Sequence, residues 1–67
     1  MSESSQTRQV IYNKLVETDI LDDNLRALEW RATKRARDKG YPWVGVRREI
    51  RTYGWLTEVS WYYVEVE

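Results

Sequence analysis

The only residues that could form a metal or acid–base cluster are three aspartates in the first third of the chain. Asp19, Asp22 and Asp23 have the spacing Asp-x-x-Asp-Asp, which could hold Mg²⁺ or Ca²⁺. The glycine and terminal glutamate of a calcium-binding loop do not follow them. Because aspartate is also a preferred helix cap, we expect these side chains to cap a helix and predict no metal site.

The residues needed for most catalytic chemistry are missing from this sequence. It contains no histidine and no cysteine, so the commonest general base and thiolate ligands are excluded. Its serines and threonines have no histidine to activate them, and its three glycines are too scattered to form a phosphate-binding loop. We therefore expect a protein that is not an enzyme and has no cofactor.

Aromatic and arginine side chains are the remaining candidates for a site. The stretch 41–66 holds three of the four tryptophans. On one sheet face, Trp55, Trp61 and Tyr63 among Arg47 and Arg51 could stack bases and pair with phosphates. The same aromatic residues could equally be buried against a protein partner or a second copy of the chain.

The net charge of zero conceals strong segregation along the chain. Residues 1–29 carry three basic and six acidic groups, residues 30–54 carry eight and two, and residues 55–67 carry three acidic groups, giving −3, +6 and −3. The basic middle could attract phosphate or an acidic protein surface, unless the acidic ends fold back and neutralise it. The zero total disfavours nucleic acid as the ligand.

One small domain is the expected organisation, with residues 1–7 as a disordered tail and residues 8–67 as a single α+β domain. The apolar residues of the segment from Arg8 to Glu17 fit both a helical stripe and a strand. A lone hairpin is marginal in water, and this favours the strand. The predicted fold is β-α-β-β, a three-stranded sheet covered on one face by one long helix, with α-α-β-β as the alternative.

The helix is predicted from Asp22 to Lys39, with Gly40 as the residue that ends it. Its apolar stripe consists of Leu21, Leu25, Leu28, Ala32 and Ala36. Trp30 lies on the opposite side, with Arg26 and Lys34 one turn away. We expect Trp30 either to lie under these cations or a second layer, or to anchor an interface.

A β-hairpin is predicted to follow, with Thr52-Tyr53-Gly54 as its loop and Ile50 opposite Leu56. A two-residue turn at Tyr53-Gly54 is the competitor, but it would place Glu49 opposite Glu58. In the preferred register, the face toward the helix carries Val44, Val46, Ile50, Leu56, Tyr62 and Val64, with Arg48 opposite Glu58. The uncovered face then carries Trp43, Trp55, Val59, Trp61 and Tyr63, with Arg47, Glu49 and Arg51.

Trp43 at the start of the second strand and a final strand that ends in Val-Glu-Val-Glu resemble the dodecins. That resemblance implies a β-α-β-β fold and a hollow, flavin-binding oligomer. The sequence departs from the family at the glutamine of the final strand and at the turn after the first strand, where Val16-Glu17-Thr18-Asp19 stands. A likeness of fold carries no function by itself, and we do not assign the chain to the family.

The sequence predicts a small protein-binding or self-assembling module that uses an aromatic sheet face, as a homodimer or higher oligomer or on a different protein. A nucleic-acid-binding protein is the alternative. Without a membrane span or signal peptide, we expect a cytoplasmic protein that does not enter a membrane, such as an accessory protein of a phage or mobile element. The predicted site comprises Trp30, Trp43, Arg47, Arg51, Trp55, Trp61 and Tyr63.

Overall fold

The computed structural model describes residues 8–64, so the predicted N-terminal tail lies outside the described residues. In chain order the elements are strand β1 (Arg8–Glu17), a 3-10 turn (Thr18–Ile20), helix α1 (Leu21–Asp38), a second 3-10 turn (Trp43–Gly45), and strands β2 (Val46–Tyr53) and β3 (Leu56–Val64). The strands form one antiparallel sheet in the order β1-β3-β2. The predicted β-α-β-β fold is confirmed.

Strand β1 replaces the helix of the alternative fold and pairs along its length with β3. An irregularity between Val10 and Tyr12 shifts the register there. Such a bulge breaks the alternation of side chains, so Ile11 is buried while Tyr12 and Val16 also pack against the core. In a regular strand Val10 would share a face with Tyr12, but the bulge places it on the other face, where it is exposed.

Helix α1 presents the predicted stripe to the sheet, with Leu28, Ala32 and Ala36 buried and Leu21 and Leu25 packed at the margin. The expected capping by aspartate is wrong, because the start of the helix has no side-chain cap. Asp22 and Asp23 still lie in the first turn, where the helix dipole favours acidic groups.

The helix ends as predicted at Gly40, which has a φ of 80°. The Gly40 amide donates to the Arg37 carbonyl at 3.0 Å, and the Tyr41 amide donates to the Ala36 carbonyl at 2.9 Å. These two bonds form a Schellman motif, which needs a residue that tolerates a positive φ. The chain thereby turns back toward the sheet.

The hairpin turn begins two residues later than predicted and is one residue shorter. Tyr53 pairs with Leu56, so the turn residues are Gly54 and Trp55, and Gly54 has a φ of 68°. Glycine with positive φ at the first central position matches the type II′ turn, whose twist suits a hairpin. Neither turn that we predicted from the sequence forms.

This turn moves the pairing of β2 with β3 by three residues. Ile50 faces Val59 rather than Leu56, and Arg51 faces Glu58 as an opposite-charge pair. An odd shift transfers every side chain of β3 to the other face of the sheet. The predicted division into faces is thus wrong for β3: Val59 and Trp61 lie beneath the helix, and Tyr63 packs at the edge of the same core.

The core of the described residues contains one large aromatic side chain, Trp61, which is 1% exposed. Its ring lies 6.0 Å from that of Tyr12, measured between centroids. The other buried apolar side chains are Ile11, Leu28, Ala32, Ala36 and Val59. The Trp61 indole nitrogen has no hydrogen-bond partner among residues 8–64, a cost of about 1–3 kcal/mol that the packing of the ring must exceed.

Thr18 joins the hairpin turn to the junction between β1 and α1. Its amide donates to the Trp55 carbonyl at 2.8 Å, and its hydroxyl donates to the Gly54 carbonyl at 2.9 Å. The same hydroxyl lies 2.8 Å from that of Thr57, which is fully buried, and the Thr52 hydroxyl lies 3.3 Å from Thr57 on the other side. These bonds fix the turn that sets the register.

We expect Trp61→Ala to destabilise the fold by about 3–5 kcal/mol, because it leaves a large cavity beneath the helix. Trp55→Ala is the matched control, since Trp55 is 72% exposed and its loss should cost less than about 0.5 kcal/mol. Urea unfolding followed by far-UV circular dichroism measures both. Equal costs for the two variants would contradict the assignment of Trp61 to the core.

We expect Thr18→Val to lower the free energy of unfolding by about 1–2 kcal/mol, because it removes a hydroxyl that serves both Gly54 and the buried Thr57. Thr18→Ser keeps the hydroxyl and should recover most of the loss. Urea midpoints for the three proteins make the comparison. A serine variant as unstable as the valine variant would show that the hydroxyl is not responsible.

Candidate functional site

The outer face of the sheet, which the helix does not cover, is polar at its centre. The Asn13 side-chain amide donates to the Glu58 carboxylate at 2.9 Å. It also donates to the hydroxyl of Ser60, the next residue along the same face of β3. Tyr53 donates to the other oxygen of Glu58 at 3.2 Å. The predicted aromatic sheet face is not formed, because the shifted register turns Trp61 and Tyr63 toward the helix and places Glu58 and Ser60 on this face.

Charged groups continue this outer network. Glu49 accepts from Arg51 at 3.3 Å and from Arg8 at 3.5 Å, and Arg8 also lies over the Tyr62 ring at 4.1 Å. A hydrogen bond with Tyr53, followed by the charge of Glu49, raises the pKa of Arg51. The polar groups at the centre of this surface thus bond to one another, while Val10, Leu15 and Tyr53 on the same face remain exposed.

The four tryptophans lie in three separate places. Trp61 is in the core, and Trp55 is 72% exposed at the hairpin turn, beside a depression of about 400 Å³ that Glu17, Thr18 and Asp19 line. Trp30 and Trp43 share the third place: they line one depression, although they stand on different elements. Trp30 is 65% exposed and Trp43 is 44% exposed.

We call this depression the Trp30–Trp43 cleft, and its volume is about 440 Å³. Besides the two tryptophans it is lined by Arg26, Glu29 and Thr33. The helical members recur at spacings of three, one and three residues, which places them on one flank of α1. The remaining wall is Trp43, from the 3-10 turn before β2.

The helical wall of the cleft is held by polar contacts at its base. The Thr33 hydroxyl donates to the Glu29 carbonyl at 2.8 Å. The Glu29 carboxylate lies 3.8 Å from the guanidinium of Arg48, which comes from the helix-facing side of β2. Both partners are partly exposed, so the pair adds little stability but reduces the negative charge in the cleft.

The turn that carries Trp43 is held by backbone contacts and by close packing. Arg47 donates to the Val44 carbonyl at 2.9 Å and to the Val46 carbonyl at 3.3 Å, and the Gly45 amide donates to the Pro42 carbonyl at 3.0 Å. Arg47 was predicted to contact a ligand, and in this arrangement it braces the turn beside Trp43.

Tyr63 lies directly against the backbone of Gly45. A Cβ atom at Gly45 would lie 2.4 Å from Cε1 of the Tyr63 ring. Tyr63 in turn stacks on Tyr41 with centroids 4.6 Å apart and ring planes 3° apart, and the Tyr41 hydroxyl donates to Gln9. The predicted site residue Tyr63 therefore supports the position of Trp43 from behind, and glycine is needed for this close approach.

The opposite flank of Trp30 is basic. Lys34 lies 5.7 Å from the centre of the Trp30 ring, as the spacing predicted, and Arg35 lies 5.1 Å from the centre of the Tyr12 ring. Trp30 thus forms a ridge between the cleft and a second depression of about 270 Å³. The second depression is also lined by Tyr12, Arg31, Lys34, Arg35 and Asp38.

Three residues of the cleft were not among the predicted site residues: Arg26, Glu29 and Thr33. Their helical spacing around Trp30 was a usable signal, and Arg26 was already placed one turn from it. That Trp43 completes the cleft depends on the path of the chain after Gly40, which no local pattern contains.

The lining of the cleft combines two tryptophans with one arginine, one glutamate and one threonine. Within the described range 8–64, no group of three or more acidic, histidine or cysteine side chains could hold a metal ion. None of the helices in that range is both long and apolar enough to cross a membrane. Comparison with known protein families, characterised proteins and solved structures gave no match.

We expect Gly45→Ala to cost about 1–3 kcal/mol, because the new methyl group must displace the Tyr63 ring. In a Tyr63→Ala background the same change should cost much less, since the ring is gone. A double-mutant cycle in urea measures this coupling. Equal costs in the two backgrounds would show that the contact does not constrain the turn.

Proposed function

We propose that this protein is a small, non-catalytic protein-binding module whose binding surface is the Trp30–Trp43 cleft. The observation that carries the proposal is the convergence of two exposed tryptophans, from the helix and from the 3-10 turn, on one depression. Tryptophan is enriched among the residues that dominate binding energy, especially in pockets that a partner can fill. The volume of about 440 Å³ suits one or two apolar side chains of a partner.

The position of the cleft supports the same function. Helix α1 packs mainly on β1 and also contacts the turn that carries Trp43. Strand β2 is less well covered: Ile50 faces the helix side of the sheet but remains exposed, and Val44 is exposed beside Trp43. A partner in the cleft would extend over this apolar surface and bury what a single helix leaves uncovered.

The partner can be a second copy of the chain or a different protein. The sheet edges are poor candidates for self-association, because β1 carries the irregularity near Val10, and charged Lys14 and Arg48 lie on the helix-facing side of the edge strands. Bulges and inward-facing charges are features that prevent edge pairing. A homodimer would therefore form through a side-chain surface rather than by edge pairing, and the cleft is the surface where two exposed tryptophans meet.

Nucleic-acid binding stays a prediction, and the structure supports it less than the sequence alone did. It depended on Trp55, Trp61 and Tyr63 sharing a face with Arg47 and Arg51. Trp61 is buried, and Arg47 and Arg51 bond to carbonyls and to Glu49. The basic part of α1 is the one feature that still favours it.

The proposal is tested by selecting displayed random peptides on the wild-type protein while removing those that bind a Trp30→Ala/Trp43→Ala variant. Binding is then measured by calorimetry. We expect either single alanine variant to weaken a selected peptide about 30-fold or more, the loss typical of a central tryptophan.

Trp55→Ala is the matched control, because it removes an exposed tryptophan outside the cleft. It should leave peptide affinity within about twofold, as expected of a surface substitution away from the site. Sedimentation of the wild type and of Trp43→Ala shows whether a second copy is the partner: a lower mass for the variant identifies the dimer. Selection that yields no peptide dependent on Trp30 or Trp43, with no change in mass, would overturn the proposal.

A further inference from the structure

We infer that the segment which occupies the Trp30–Trp43 cleft is acidic: an apolar side chain enters the cleft, and flanking carboxylates lie along the exposed side of α1. This inference rests on the proposed function and adds the chemistry of the partner. It follows from the charges around Trp30, which the rest of the described chain does not neutralise.

The two depressions on either side of Trp30 are lined by four basic and two acidic residues. The basic residues are Arg26, Arg31, Lys34 and Arg35, and the acidic residues are Glu29 and Asp38. Four minus two gives +2 for these linings, whereas the whole chain has a net charge of zero. The cationic character is thus local to the ridge.

The ion pairs among residues 8–64 do not involve the four basic residues that line the two depressions. Glu29 is next to Arg48, which raises the local sum to +3 when that guanidinium is included. The other two ion pairs formed by residues 8–64 join Arg8 and Arg51 to Glu49 on the outer face of the sheet. Within that range, no carboxylate lies in salt-bridge distance of Arg26, Arg31 or Lys34.

Some of the helix cations have a structural explanation; without Arg35, three basic minus two acidic residues leave +1 for the linings, or +2 with Arg48. Arg35 and Arg37 are in the last turn of α1, where the negative end of the helix dipole favours basic groups. Arg26 and Arg31 are in the middle of the helix, where the dipole gives no such benefit. Lys34 lies over Trp30, so a carboxylate bound there would meet the ring and the ammonium together.

An acidic peptide fits this surface better than a nucleic-acid backbone does. Glu29 and Asp38 stand in the two depressions and would repel a regular row of phosphates. A peptide can place its carboxylates near the cations, leave the acidic positions free, and insert an apolar side chain between the tryptophans. Nucleic acid also gains most from a strongly basic surface and stacked bases, and this chain is neutral overall.

The test uses three display libraries with the same randomised apolar core and with fixed flanks of glutamate, glutamine or lysine. We expect the glutamate library to be enriched over the glutamine library about tenfold at low salt, with the lysine library lowest. The difference should shrink at high salt, because exposed charges are then screened.

Charge variants locate the effect on the ridge. Arg31→Gln with Lys34→Gln should weaken the acidic peptides about three- to tenfold and leave neutral ones within about twofold, as expected for two exposed pairs. Arg8→Gln with Arg51→Gln is the matched control: it removes the same charge from the outer sheet face and should leave both peptide classes within about twofold.

The outcomes distinguish a failure of this inference from a failure of the proposed protein-binding function. If glutamine-flanked peptides bind as tightly as glutamate-flanked ones and still require Trp30 and Trp43, the acidic partner is wrong and the protein-binding function stands. If no library yields peptides that need these tryptophans, both fail. If single-stranded oligonucleotide binds through Arg31 and Lys34 more tightly than the acidic peptides do, the ligand is nucleic acid and the inference is overturned.

Discussion

The hairpin turn at Gly54-Trp55 is the constraint on which the rest of the molecule depends. Because side chains alternate along a strand, the turn determines whether the odd-numbered or the even-numbered side chains of β3 enter the core. In the observed register Thr57, Val59 and Trp61 lie beneath the helix. A glycine with positive φ permits the turn, and the bonds from Thr18 secure it against the end of β1.

The choice of register also determines what remains on the surface. The same turn that buries Trp61 brings Glu58 and Ser60 to the outer face, where Asn13 donates a hydrogen bond to each. Burial of a tryptophan favours this arrangement by several kcal/mol, even though its indole nitrogen finds no partner among the described residues. A sheet that presented three tryptophans to water would lose that stabilisation. The exposed apolar side chains are accordingly divided among the strands, the hairpin turn and the Trp30–Trp43 cleft.

The elements of this fold could be predicted from the sequence where one local signal dominates. The Leu/Ala stripe and Gly40 predicted α1 and its end to within one residue, and the instability of a lone hairpin predicted β1 as a strand. The register could not be predicted in this way, since it depends on the summed packing of β3 against a helix that ends at Asp38, eighteen residues before β3 begins at Leu56. The irregularity in β1 could not be predicted from a local signal either, because only the packing of the core explains why Ile11 and Tyr12 both turn inward.

The candidate site was partly predictable for a related reason. Trp30 was identified as an apolar ring among cations by helical geometry alone, and that placement holds. Its meeting with Trp43 requires the Schellman motif, which Gly40 signals, and also the stacked pair Tyr41–Tyr63 and the close approach at Gly45, which have no pattern in the sequence. One helix of this length cannot cover all three strands, and it leaves β2 and the Trp43 turn half covered at one corner of the sheet. The cleft lies at that corner, so the surface that the fold fails to bury is the surface that a partner can complete.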